Sequence, residues 1–176
     1  MKFLVFVALS ATLLMSCKKD EKKPTPNPTP TPVTEEGSAN ITLTLTNGEV
    51  YQIAGPCGWA VAGGSHYIGA NHSSNNLKTF STFFNISELP AQTTTYTLVD
   101  DQLDEDPSHI WMNITEMVGS SWIEWTSHDA SGNLTLVVQG NKVTVDLAGI
   151  VLENGSSNAS PYNANGTLSG TLTFYK

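Results

Sequence analysis

The residues best able to do covalent chemistry are Cys57, His66 and His72. A histidine beside a cysteine can take its proton and, when oriented by a third group, make the thiol a nucleophile. Such a trio would make the chain a small cysteine-dependent hydrolase. Cys57, however, sits in Gly55-Pro56-Cys57-Gly58, which matches no nucleophile motif, and a small thiol in a glycine-rich turn is ordinarily buried and inert. His66, His72, His109 and His128 lack the close pairing on one element that marks zinc ligands. No catalytic residue, metal ligand or cofactor is therefore expected. Asp100, Asp101, Asp104, Glu105 and Asp106 form the densest run of charge, and calcium needs six to eight oxygens. The run lacks the central glycine of a calcium loop and reads as a solvated acidic turn. The Asn-X-Ser/Thr triplets at residues 40, 71, 85, 113, 133, 158 and 165 accept glycans only in a host with that machinery.

A different chemistry attaches to Trp111, Asn113, Trp122 and Glu124. With Ile110, Met112 and Ile114 in the core, alternation along a strand sends His109, Trp111, Asn113 and Thr115 to the opposite face. A two-residue turn at Gly119-Ser120 then pairs Met117 with Trp122, Thr115 with Glu124, Asn113 with Thr126 and Trp111 with His128, while Trp125 joins Ile114 inside and Glu116 falls on the core side. Flat rings separated by amide and carboxylate groups suit a sugar, whose C–H face stacks on the ring while hydrogen bonds fix its hydroxyls. The opposing expectation is that tryptophan is mostly buried, and a one-residue slip would invert every position.

The elements that must hold these residues are strands. From Asn40 onward the pattern is period-two alternation rich in threonine, valine, isoleucine and aromatics, without a 3.6-residue stripe. Asn47-Gly48 marks a first hairpin. A two-residue loop there would face Tyr51 and Ile53 against Thr44 and Thr42, whereas a bulge at Gly48 would bring both onto the Ile/Leu face. Gly55-Pro56-Cys57-Gly58 is expected to interrupt the second strand, Tyr67 and Ile68 to form a short one, and residues 77–86 another. Residues 87–90 suit one helical turn, residues 94–99 a strand, and residues 100–107 the acidic loop. Around Gly140-Asn141 a hairpin pairs Val138 with Val143, Leu136 with Val145 and Leu134 with Leu147, with Val151 and Leu152 extending the second strand. Residues 154–165 read as loop, and residues 167–175 close the domain with Leu168, Leu172 and Phe174 inward. The fold class is all-β: an antiparallel β-sandwich of about nine or ten short strands, with a closed, lipocalin-like β-barrel as the alternative.

Ahead of this domain, Lys2 and an apolar run to Ser16 have the form of a secretory signal too short to span a bilayer. Leu14-Met15-Ser16-Cys17 resembles the bacterial lipoprotein signal, which implies cleavage before Cys17 and acylation of that cysteine. The following Lys18-Lys19-Asp20-Glu21-Lys22-Lys23 is similar to the export tag of surface lipoproteins in Bacteroidetes-type Gram-negative bacteria, implying an outer-membrane, outward-facing location. Pro24, Pro26, Pro28, Pro30 and Pro32 make a semi-rigid stalk of about 34 Å at about 3.1 Å per residue. The expected organisation is thus a signal peptide (1–16), an acylated cysteine with tag and stalk (17–37), and an all-β domain (38–176). The closing half, from Tyr96 through Gly166 to Phe174, resembles small lipoproteins of the same bacteria and implies no catalytic residue.

Charge narrows the partners. From Ser38 on there are three lysines, no arginine and twelve acidic residues, a formal charge of −9. Such a surface excludes nucleic acid and anionic head groups as partners. The membrane is expected as a partner only through acyl chains on Cys17. The functional expectation is a lipid-anchored, non-enzymatic binding or structural module for an extracellular glycan or protein. A barrel enclosing a small apolar ligand and a Cys57 hydrolase are the alternatives.

Overall fold

Alternation builds the walls of the domain. The computed structural model describes residues 35–62 and 64–176; the expected signal peptide, Cys17, the charged tag and the proline-rich segment lie outside them. Eleven strands follow: β1 (Gly37–Leu45), β2 (Val50–Ala62), β3 (Ser65–His72), β4 (Asn75–Phe84), β5 (Thr94–Leu98), β6 (His109–Val118), β7 (Ser121–Thr126), β8 (Asn133–Gln139), β9 (Lys142–Asp146), β10 (Val151–Asn154) and β11 (Gly166–Tyr175). Nine of them close into a ring in the order β1-β2-β3-β4-β6-β5-β8-β9-β11 and back to β1. The all-β expectation holds, and of its two architectures the chain adopts the closed barrel rather than the sandwich. The reason is the pairing of the first and last strands from Ser38–Thr173 to Leu45–Gly166, which joins the edges a sandwich would leave open. The ring is not an up-and-down meander of the lipocalin kind, because β5 pairs with β6 in parallel.

Two strands carry two partners on one edge. Beyond β4, β6 pairs first with β5 and then with β7. Beyond β1, β11 pairs with β10 near Gly166 and with β9 from Thr171. One half of the barrel is therefore completed by β5, β8 and β9, and the other by β7 and β10. Gly170, at φ +107°, bends β11 where its partner changes, and a side chain there would strike the carbonyl of Asn40. Val151 and Leu152 do not simply extend β9. They form β10, which continues along β11 only after residues 147–150 have turned.

Hydroxyl groups fill the seam where the partners of β6 change. Buried Ser127 exchanges backbone positions with Met112: its N–H donates to the Met112 carbonyl at 2.9 Å, while its Oγ accepts from the Met112 N–H at 2.9 Å and donates to the Val99 carbonyl at 2.7 Å. Buried Ser131 accepts from the His128 N–H and donates to the Val151 carbonyl. Both serines do for the seam what ladder bonds do elsewhere.

The register follows the side-chain pattern. Gly48, at φ +91°, takes the bulged option in the first hairpin, so Tyr51 faces Leu43 and Ile53 faces Ile41. The expected pairs Met117–Trp122, Thr115–Glu124 and Asn113–Thr126 across β6 and β7, and Val138–Val143 and Leu136–Val145 across β8 and β9, are present. Trp111–His128 and Leu134–Leu147 do not form, because β7 ends at Thr126, where the Ser127 hydroxyl takes the Met112 N–H, and β9 ends at Asp146. Gly55 to Gly58 does not interrupt its strand: β2 runs through, and Pro56 sits just before pairing with β3 begins at Cys57. Gly55 serves close approach, since a Cβ there would collide with the carbonyl of Asn71. Residues 87–90 form no helical turn. Ile41, Leu43, Phe80, Met112, Trp125 and Phe174 are among the side chains that fill the interior, each fully buried, and burial of each is worth about 1.5–3 kcal/mol.

Replacement of Ser127 by alanine would leave the Met112 N–H and the Val99 carbonyl without partners inside the seam. The expected loss of stability is about 1–3 kcal/mol in urea unfolding, against less than about 0.5 kcal/mol for Ser169→Ala on the exposed face of β11. Equal midpoints for the two variants would contradict the role given to Ser127.

Candidate functional site

The outer face of β4, β6 and β7 is laid out in rows by the barrel register. The first holds Met117 and Trp122, with Leu77 two residues before Thr79 on β4; the second Thr79, Thr115 and Glu124; the third Ser81, Asn113 and Thr126. Leu77, Met117 and Trp122 are exposed, and Trp122 keeps 52% of its surface in solvent. Asn113 Nδ2 donates to Glu124 Oε1 at 3.1 Å, and the hydroxyls of Thr79 and Thr115 meet at 2.8 Å. Asn113, Thr115, Trp122 and Glu124 together line an open depression of about 440 Å³. Three of the four residues singled out from sequence are thus brought together.

Trp111, the fourth, lies on the same outer face but is only 8% exposed. Its ring packs edge-on against Phe83, centroids 5.1 Å apart, and Phe83 against Tyr67 at 4.5 Å. This aromatic strip crosses β3, β4 and β6, which pair Tyr67 with Phe83 and Phe83 with Trp111. Burial comes from the connection between β5 and β6. A parallel pair cannot be joined by a tight turn, so residues 99–108 cross the outer face and wall off a cleft of about 260 Å³ over the strip. Trp111 is therefore not the second open platform expected for it but part of the lining of a deeper site.

Acidic residues of the crossover shape that wall. Asp101 accepts from the Leu103 N–H, and Asp104 from the Asp106 N–H and from His109 Nδ1 at 3.0 Å. The carboxylate of Asp104 draws the His109 pKa above its ordinary 6.5, with Asp106 and Asp129 adding attraction. Asp104 is itself held below the usual carboxylate range by the Asp106 N–H first and His109 second.

Glu124 is fixed from behind by Asn158, which sequence reading took only as part of a glycan triplet. The Asn158 amide accepts from the Glu124 N–H at 2.8 Å and donates to the Glu124 and Tyr162 carbonyls, standing in for a neighbouring strand on β7. Phe83 and Tyr67 were also missed. Their signal was present: Phe83 is out of phase with the inward Phe80 and Phe84, an apolar ring on the side where alternation calls for a polar residue.

Cys57, His66 and His72 are not assembled into a site. Cys57 pairs with Ala70, whereas His66 pairs with Val61, four residues along β2, which separates them by about 13 Å. Burial pushes the Cys57 thiol up to about 12, so it is protonated at neutral pH. His72 Nδ1 lies 3.1 Å from the Ala54 carbonyl, and His66 stacks inside on Trp59 at 5.7 Å. At the other end of the barrel Glu116 faces inward as expected, accepting from the Tyr51 hydroxyl at 2.6 Å and Asn75 Nδ2 at 2.7 Å, with Lys78 Nζ 3.6 Å above the Tyr51 ring. Burial and Glu116 raise the Tyr51 pKa, while burial lowers that of Lys78. The chain matches no protein-family model, no curated protein and no solved structure.

The His109–Asp104 pair gives the crossover a defined pH range. Because the histidine pKa is raised, its contribution is complete below pH 6.5 and lost as pH rises through the shifted value; the lowered Asp104 pKa removes it again in acid. An NMR titration is expected to place His109 above 6.5 and to return it toward 6.5 in Asp104→Asn. An unchanged titration in that variant would show that the carboxylate does not set it.

Proposed function

We propose that the domain is a non-catalytic carbohydrate-binding module, displayed outside the cell and anchored by lipid on Cys17. The observation that carries the reading is Trp122, a half-exposed indole beside the hydrogen-bonded Asn113–Glu124 pair and Thr115 on one outer sheet face. A pyranose needs both kinds of group, an aromatic plane for its C–H face and fixed donors and acceptors for its hydroxyls. The support is rigid, since Glu124 is held by Asn158 and Asn113 by the ladders to β4 and β7. A preorganised polar surface loses little entropy on binding.

Competing readings draw less support from the same molecule. A small-ligand barrel needs room inside, and here Phe80, Phe84, Trp125 and Phe174 occupy the interior. A cysteine hydrolase needs a thiolate beside a base, and Cys57 is buried, protonated and offset from His66. The surface location rests on the lipoprotein-like Leu14-Met15-Ser16-Cys17 and the charged tag and stalk after it. Two or three acyl chains would hold the protein on a membrane, because each buried methylene contributes about 0.8 kcal/mol.

Affinity electrophoresis through gels containing individual polysaccharides tests the binding half. At least one polysaccharide is expected to retard the protein, and Trp122→Ala is expected to weaken that retardation about tenfold, the worth of one aromatic platform. Its melting temperature should not move, because the ring is exposed. No retardation by any polysaccharide, or retention undiminished in Trp122→Ala, would sink the reading. For the anchor, Cys17→Ala is expected to move the protein from the membrane to the soluble fraction. A mature chain beginning elsewhere than Cys17 would overturn it.

A further inference from the structure

The cleft between the aromatic strip and the β5–β6 crossover differs chemically from the open face beside it. Its floor is Tyr67, Phe83 and Trp111, and its wall carries Asp101, Asp104 and Glu105. Asp104 is committed to His109 and to the loop backbone. Asp101 and Glu105 are exposed at the rim; among the described residues, the Glu105 carboxylate and one oxygen of Asp101 have no protein hydrogen-bond partner, no lysine lines the cleft, and His109, which does, is paired with Asp104. The volume of about 260 Å³ is several times the roughly 30 Å³ that one water occupies, so the space suits an organic group rather than a bare ion. The acidic and histidine side chains also fail to converge: among the described residues no three could hold a metal together.

From this combination of cavity, ring faces and unneutralised carboxylates we infer that the cleft receives a protonated organic amine. Ring faces attract cations through their quadrupole, and a carboxylate wall in a partly enclosed space adds a directional acceptor. An anionic group would meet repulsion on the wall, and a neutral one could hydrogen-bond the carboxylates but would leave their charge uncompensated. Trp111 lines the cleft and Asn113, two residues along β6, lines the open depression, so the two are neighbours on one strand. Six residues separate Trp111 from Met117 on β6, a track of about 20 Å at about 3.3 Å per residue. The track is open at Trp122 and closed by the crossover at Trp111. The amine is accordingly that of an amino sugar at one end of a saccharide, and this placement rests on the carbohydrate reading above.

Calorimetric titration of the intact domain with three oligosaccharides of equal length tests it: one of glucosamine with free amines, its N-acetylated counterpart, and a neutral glucose oligomer. Spermidine serves as an amine without a sugar. The free-amine oligomer is expected to bind about tenfold tighter than the other two. That advantage should disappear in the double variant Asp101→Asn, Glu105→Gln, which leaves Asp104 and its bond to His109 in place. Equal affinity for amine and N-acetyl oligomers, or an advantage that survives in the double variant, overturns the inference; if the neutral oligomer still binds through Trp122, the carbohydrate reading stands without it. Binding of spermidine, lost in the double variant, with none of the oligosaccharides bound, would uphold the amine cleft and overturn the carbohydrate reading. Circular dichroism of the double variant separates loss of the site from loss of the fold.

Discussion

Closure of the sheet is the constraint on which the rest of this molecule depends. Every strand edge left open presents unpaired N–H and C=O groups, and a barrel removes that liability only if the last strand finds the first. Here the pairing of β1 with β11 does so along most of their length, but at a cost in regularity. Five strands from β1 through β6 form one wall, and the return path from β6 to β11 holds three strands in one half and two in the other. That mismatch cannot be absorbed by ladder bonds alone. Buried Ser127 and Ser131 absorb it, and Gly170 bends β11 at the matching point on the opposite side.

The same constraint produces the candidate site. Filling the three-strand half requires β5 to lie beside β6 in parallel, and a parallel neighbour demands a crossover. The crossover has nowhere to run but across the outer face, so it buries Trp111 and turns Phe83 and Tyr67 from surface aromatics into the floor of a cleft. Past the reach of that crossover, the sheet face stays open and Trp122 remains in solvent. One topological decision thus separates an enclosed end of this sheet face, at Trp111, from an open one, at Trp122.

Local patterns made much of this legible in the sequence. Alternation in Ile110, Met112 and Ile114 located the core side of β6, and the Gly119-Ser120 turn fixed the pairing with β7 as far as Asn113–Thr126, though not the further pair of Trp111 with His128. The inward Glu116 followed from the same register, and the structure supplies its reason: Tyr51, Asn75 and Lys78 satisfy it at the barrel end. Burial of Trp111 was not legible, because it depends on a connection between strands whose parallel pairing leaves no mark on hydrophobic periodicity. Asn158 was equally hidden. Its amide reaches Glu124 from 34 residues away, and no local pattern distinguishes an asparagine that replaces a strand from one that decorates a loop. Closure itself was one of two open options, since a sandwich and a barrel share strand lengths and alternation and differ only in whether β1 meets β11.

The two faces of β6 divide the domain between its core and its candidate site. Ile110, Met112 and Ile114 bury their full surface inside, where changes of volume are felt through close packing. Trp111, Asn113 and Thr115 alternate with them on the other side, where the ladder holds the backbone but leaves the side chains free to vary. Substitution on the outer face can therefore alter the candidate site without reaching the core, except at Trp111, which the crossover has drawn into a small outer core with Phe83 and Tyr67. That exception marks where the candidate site and the fold share residues. The acidic wall must stay near the aromatic floor, and the His109–Asp104 bond beside the aromatic packing holds it there. The stability of the crossover and the shape of the cleft are for that reason set by the same contacts, and the open depression at Trp122 is not bound by them.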